Sequence, residues 1–208
     1  MKKHFWLFLL FLFSTSATHA WTLFSGKGER YPGMGGDFTL QSAEGEVSLR
    51  DFRGKIVLIY FGYTSCPDVC PTSLGALSAA LKKLDKKEMA QIQPLFISVD
   101  PERDDVKKLQ EYSHYFHPKM IGATGKLAYL QALAKRYGAY FRKAPVENST
   151  LGYAVDHSST IYVVGKDGKL VDMIQHGGSP KRILEHIRAV LKELEFRVSN
   201  IVPPYIFG

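Results

Sequence analysis

KIVLIYFGYTSCPDVCP, residues 55–71, sets the plan of this chain. Lys55 to Tyr63 is a nearly unbroken apolar and β-branched run, as in a strand covered on both faces. The two cysteines of the chain follow at once, Cys66 and Cys70, three residues apart and each succeeded by proline. The next stretch, PTSLGALSAALKKLDKKE, sets Leu74, Leu77, Leu81 and Leu84 at helical spacing, with Pro71 suited to the first turn. The cysteines therefore lie where a buried strand hands over to a helix. Open α/β sheets bind ligands at that edge, and the unpaired N–H groups of a helix start favour thiolate over thiol.

Outward from this unit the chain alternates. PLFISVD (Pro94 to Asp100) reads as a second buried strand, and PERDDVKKLQEYSHYF as a helix with an acidic first turn, Asp100 standing as its N-cap. A third helix spans roughly Lys126 to Tyr137 and stops at Gly138. STIYVVGKDGKLVDMIQ reads as a hairpin turning at Lys166 to Lys169, its first strand running from Thr160 to Val164. The last helix takes Ser179 as N-cap and Pro180 as first residue, then carries Ile183, Leu184, Ile187, Val190, Leu191 and Leu194. GGDFTLQSAEGEVSLRDFRG, upstream, reads as a short preceding hairpin. The sum is a thioredoxin-like α/β plan, a mixed central sheet flanked by helices with an N-terminal β-hairpin extension. RVSNIVPPYIFG at the C-terminus matches no element.

The first residues, MKKHFWLFLLFLFSTSATHAW, place two lysines before an apolar run from Phe5 to Phe13, then small polar residues ending at Ala20. That is the layout of a secretory signal peptide, with Thr18 and Ala20 before the cleavage point, and it predicts a periplasmic product. The run is short of the ~20 residues of a membrane span; an uncleaved N-terminal anchor is the alternative. The expected organisation is a signal peptide over 1–20, a lead-in over 21–34, one domain over 35–196 and an apolar tail over 197–208. Formal net charge is +7, falling to +5 without Lys2 and Lys3. The basic residues, among them Lys82, Lys83, Lys86, Lys87, Lys107 and Lys108, are scattered along polar helix faces. A solvated surface is the default for such a pattern, and nucleic acid is excluded as a partner.

Three chemistries suit Cys66 and Cys70. A structural disulfide fits an exported chain with an even cysteine count, but it would close a tiny loop in a domain large enough to do without it. A dithiol–disulfide couple is the second, although three intervening residues depart from the two of the usual redox motif. The third is a metal site: residues four apart at a helix start share a face, and paired thiolates are soft ligands that favour Cu(I). A histidine arriving at the same edge would complete it. His4 and His19 belong to the signal peptide; His176, His186 and the pair His114 and His117 read as surface, core-edge or helix-end residues. His157, in GYAVDHSSTIYVV, precedes the expected strand at the junction where redox-active thioredoxin-like domains carry a proline facing the cysteines. Asp156 beside it is placed to orient the ring. A peroxidase would need a lone activated thiolate with a cation beside it, and no arginine adjoins the motif.

YFGYTSCPDVCP, SVDPERDD, the ATG before the third helix and VDHSSTIYVVGKDGKL together resemble the Sco/SenC family of copper proteins, from about Gly35 to Leu194. The resemblance implies one copper ion, as Cu(I) or Cu(II), bound by Cys66, Cys70 and His157, with Asp156 matching the aspartate beside the histidine ligand. It also implies a part in assembling the binuclear copper centre of cytochrome c oxidase subunit II. That part is copper delivery, with an upstream periplasmic copper donor, or reduction of the subunit's cysteines by the Cys66–Cys70 pair. Many relatives begin with a membrane span, where this chain offers a short signal.

Overall fold

The computed structural model describes residues 30–146 and 152–201. The expected signal peptide and the last seven residues of the tail lie outside them.

The run that follows Lys55 forms β3 (Ile56–Gly62), after the hairpin β1 (Thr39–Ser42) and β2 (Gly45–Ser48) and a short 3-10 helix over Leu49–Phe52. Every residue of β3 is buried, because both faces of the strand are covered. Next come α1 (Val69–Leu81), α2 (Lys86–Ala90), the fully buried β4 (Ile92–Ser98), α3 (Val106–Phe116), β5 (Ile121–Thr124) and α4 (Leu127–Arg136). The chain closes with β6 (Phe141–Pro145), β7 (Tyr153–His157), β8 (Ile161–Val164), β9 (Leu170–Ile174) and α5 (Pro180–Ile201).

The main sheet has the order β2-β1-β5-β4-β3-β8-β9. Strands β3, β4 and β5 run parallel, while β8 lies antiparallel to β3 and β9 antiparallel to β8. This is the thioredoxin-like arrangement, with the hairpin β1–β2 added antiparallel along β5. The core runs through the sheet, with Leu58, Ile59, Phe61, Phe96 and Val163 wholly enclosed together with Leu74 and Leu77 of α1 and Ile187 of α5. Each such side chain contributes about 1.5–3 kcal/mol by leaving water.

Several expectations change. The helix expected from Pro71 to Glu88 is two helices. α1 ends at Leu81, and Asp85 starts α2 by accepting the N–H groups of Lys87 and Glu88, while Glu88 returns a bond to the Asp85 N–H. Asp100 is not an N-cap: α3 begins at Val106, capped by Asp105 through the Lys108 N–H, and residues 101–103 form a turn before it. β5 has only four residues and shows no long apolar run; it packs under α3 because Gly122 has no side chain, and a Cβ there would lie 2.4 Å from the Leu109 carbonyl oxygen. β6 and β7 were not legible as strands, and they form a two-stranded ribbon apart from the main sheet. The last helix begins as expected, the Ser179 hydroxyl accepting the Arg182 N–H, and its backbone continues to Ile201.

Candidate metal centre

β3 delivers Cys66 and Cys70 to the C-terminal edge of the sheet. Cys70 is the second residue of α1 and fully buried; Cys66, in the turn before it, keeps 8% of its surface exposed. Both are free thiols. Gly62, the last residue of β3, lets the Cys70 sulfur sit against the strand, since a Cβ there would lie 2.7 Å from Sγ.

The turn is pinned from beneath by Asp104, a wholly buried carboxylate that the sequence reading did not single out. Its oxygens accept the Thr64 N–H at 2.9 Å, the Thr64 hydroxyl at 2.5 Å, the Ser98 hydroxyl at 2.7 Å and the Lys108 ammonium at 3.2 Å. A buried charge persists only when its lone pairs are met in this way. The one available signal was the DPERDD run, which holds more carboxylates than a helix cap requires.

His157 ends β7 and turns inward, its Nε2 lying 3.2 Å from Cys70 Sγ. Its Nδ1 lies 3.0 Å from the Ser158 carbonyl oxygen. A carbonyl only accepts, so Nδ1 carries a proton and Nε2 is the nitrogen turned to the sulfurs. Tyr60 and Tyr63 wall the ring edge-on, with centroids 6.2 and 5.7 Å away. The two sulfurs and an imidazole nitrogen all lie within 4.8 Å of one another. Metal–sulfur and metal–nitrogen bonds of about 2.0–2.3 Å span nearly that separation, so one ion fits with small side-chain adjustments.

The thiols are unequal. Cys66 is held well below the ordinary thiol range, chiefly because the Cys70 thiol donates to it; His157 and the N–H groups of Asp68 and Cys70 add to this against the cost of burial. Cys70 is pushed up by giving its proton to Cys66 and by its own burial. The group thus presents one thiolate at the rim and one protonated sulfur behind it.

Asp156 does not orient the ring, contrary to expectation. Side chains alternate along β7, so Asp156 faces outward to Arg142 at 3.2 Å while the Ser158 carbonyl holds His157. The remaining histidines among the described residues are elsewhere. His117 accepts the Lys119 N–H, His176 meets the Ser73 hydroxyl at 2.9 Å, and His186 meets Asp172 at 2.6 Å. His114, in the last turn of α3, is exposed.

The ribbon carrying His157 is fastened to the same turn that carries Asp104. The Tyr153 hydroxyl donates to Asp100 at 2.7 Å, and Arg103 bonds both the Tyr153 carbonyl at 2.9 Å and Asp100 at 2.5 Å. The Arg103 guanidinium also lies 3.8 Å from the Tyr153 ring centroid. Residues 100–104 therefore tie the cysteine turn to the histidine ribbon.

The SCO1/SenC family model matches residues 27–192. The chain belongs to this family. It is 39% identical over 155 residues to the mitochondrial SCO2 homolog of Mus musculus, an alignment covering 74% of this chain and 60% of the mouse protein's length. Its fold superposes on the copper-bound crystal structure of Arabidopsis thaliana ScoI with a TM-score of 0.71 and 35% identity, covering 77% of this chain and 99% of that one. It also matches BsSco, described as a member of the Sco family of cytochrome c oxidase assembly proteins with a disulfide switch, at a TM-score of 0.60 and 25% identity, covering 76% and 94% of the two chains.

Proposed function

We propose that this protein is a copper chaperone that binds one copper ion through the Cys66 and Cys70 thiolates and the His157 imidazole. Its client in this reading is the binuclear copper centre of cytochrome c oxidase subunit II, loaded in the periplasm with copper taken from an upstream donor. The observation that carries it is the convergence of two sulfurs and an imidazole nitrogen within 4.8 Å, in a family with a copper-bound relative. Two thiolates suit Cu(I), and the imidazole lets the same site accept Cu(II). Cys66 at the rim gives an incoming thiol or imidazole a path to the ion, so three ligands can be exchanged one at a time.

The polarised thiols favour a second reading, a thiol–disulfide reductase acting on the client's cysteines. Cys66 thiolate would attack a client disulfide, releasing one client thiolate. Cys70, losing its proton, would then attack the Cys66 sulfur and release the second. Two electrons pass to the client, and the Cys66–Cys70 disulfide remains.

His157 separates the readings. The reduced, anaerobic chain and its His157→Ala variant are titrated with Cu(I) against a competing chelator, and with Cu(II) while thiolate-to-copper absorption is followed. Binding of one equivalent by the wild type, with weakened affinity and loss of that absorption in the variant, supports the chaperone. Equal, weak copper binding by both, with disulfide reduction intact, assigns the site to redox chemistry.

A further inference from the structure

The lysines that look scattered in sequence gather in space. α1 leaves the metal-centre edge and returns the chain to the opposite edge of the sheet, where β3 and β4 begin side by side with Ile56 paired to Ile92. At that return stand Lys82 and Lys83, and α2 adds Lys86 and Lys87, all four exposed. Other elements converge on the same pole. Lys119, in the loop leading to β5, reaches the Met89 carbonyl. β8 runs antiparallel to β3, so its turn to β9 arrives here too: the Lys166 carbonyl accepts the Gly54 N–H, and its ammonium bonds Gln91 at 2.6 Å. Lys55 directly precedes β3, and the Arg53 guanidinium packs over Gly168 in that turn.

Four carboxylates near these lysines are hydrogen-bonded or ion-paired. Asp85 caps α2, Arg188 grips Glu88 at 2.7 and 3.0 Å, Asp37 is shared by Arg50 and Arg53, and Asp167 accepts the Lys169 N–H. The exposed lysines come from separate elements and end on a broad surface. Such a surface suits delocalised negative charge better than it suits a discrete anion.

A second observation points the same way. Arg188 of α5 bonds Glu88 and the Lys83 carbonyl, so this helix is already at the basic pole there, and it continues to Ile201, about 20 Å further. A metal acceptor must reach Cys66, which lies at least a strand length, roughly 20 Å, from this pole.

We propose that the basic pole docks on an anionic phospholipid surface, with the metal centre held outward to water. Each lysine near an anionic bilayer adds to the attraction.

The test uses the full chain with vesicles of phosphatidylcholine and phosphatidylglycerol, and with pure phosphatidylcholine vesicles. The pole variant carries Lys82→Glu, Lys83→Glu, Lys86→Glu and Lys87→Glu. A charge-matched control carries Lys107→Glu, Lys126→Glu, Lys181→Glu and Arg182→Glu, all exposed and at helix starts on the metal-centre edge. Far-ultraviolet circular dichroism checks that each is folded. Wild type is expected to bind the anionic vesicles with an affinity that falls as salt rises. The pole variant should bind on the order of 1,000-fold more weakly, and the control within a few-fold of wild type. A water-soluble maleimide should reach Cys66 equally fast with and without vesicles. Equal loss in both variants, equal binding to neutral vesicles, or protection of Cys66 overturns the proposal. Retention on polyglutamate without vesicle binding also overturns it and gives the pole to an acidic polypeptide.

Discussion

Replacing Gly62 by alanine tests whether the position of the Cys70 sulfur sets metal affinity. The backbone there is ordinary extended strand, so alanine brings no conformational strain. What it brings is a methyl group 2.7 Å from Cys70 Sγ, 2.9 Å from Phe96 and 3.1 Å from Tyr60. Non-bonded heavy atoms rest at ~3.5–4.0 Å, so a gap of about 1 Å must be opened. The two rings are locked in the core, and the sulfur is the softest neighbour. Overpacking of this kind costs about 1–3 kcal/mol of stability, and a thiolate displaced by nearly half a bond length weakens metal binding by about 10–100-fold, as loss of ligand support does. Gly75→Ala is the paired control: it lies in α1 with nothing within 4 Å of its Cβ position. That change should stabilise the fold by up to about 1 kcal/mol and leave affinity alone. Urea denaturation and Cu(I) competition read both quantities. Unchanged Cu(I) affinity in a destabilised Gly62→Ala protein would refute the reasoning.

Three further outcomes are expected. Iodoacetamide should alkylate Cys66 in the reduced native protein at pH 6, where an ordinary thiol scarcely reacts, and spare Cys70 until the chain unfolds, as peptide mapping will show. The linked stability has a definite sign: the Cys66 contribution is full above the ordinary thiol pKa of about 8.5 and is lost as pH falls toward its depressed folded value, so below that point denaturation midpoints of the reduced protein should rise with pH more steeply than those of a Cys66→Ser protein. Tyr153→Phe removes the donor to Asp100 and should cost about 1.5–3 kcal/mol; Cu(II)-thiolate absorption should weaken while Cu(I) affinity changes only a few-fold, because the ribbon is loosened and the sulfurs are not. Asp156→Ala should leave both copper titrations unchanged, since its carboxylate pairs with Arg142 on the outer face, away from the sulfurs.

The parts of the fold that could be read in sequence are those where one strong signal decides. β3 and β4 are continuous apolar runs, α5 has a hydroxyl cap followed by proline, and the β8–β9 turn carries Gly168 at φ +81°. β5 could not be read because four residues cannot show a period, and its place depends on Gly122 admitting α3. β6 and β7 pair only with each other and bear the pattern of half-exposed coil, FRKAP and YAVDH. At the metal centre the cysteines and His157 were legible because few residue types do that chemistry. Asp156 was misjudged for a simple reason: once His157 lies on a strand rather than in the loop before one, its neighbour must face the other way.

The supports of the site escaped notice because they act across long sequence gaps, Asp104 on Thr64 and Asp100 on Tyr153. Their arrangement gives the two halves of the site different stiffness. The sulfurs stand on the main sheet and α1, with Cys70 wholly enclosed. The imidazole stands on a two-stranded ribbon with no partner in the main sheet, held by Tyr153, Arg103, the Lys143–Glu102 ion pair and the bonds between Tyr140 and Ser158. Fewer buried contacts mean a smaller opening free energy for the ribbon than for the sheet. An ion leaving such a site should therefore lose the His157 bond first, leaving a two-sulfur complex whose rim sulfur is Cys66. That order suits a carrier, because it opens a coordination position toward the acceptor while the two sulfurs still hold the ion.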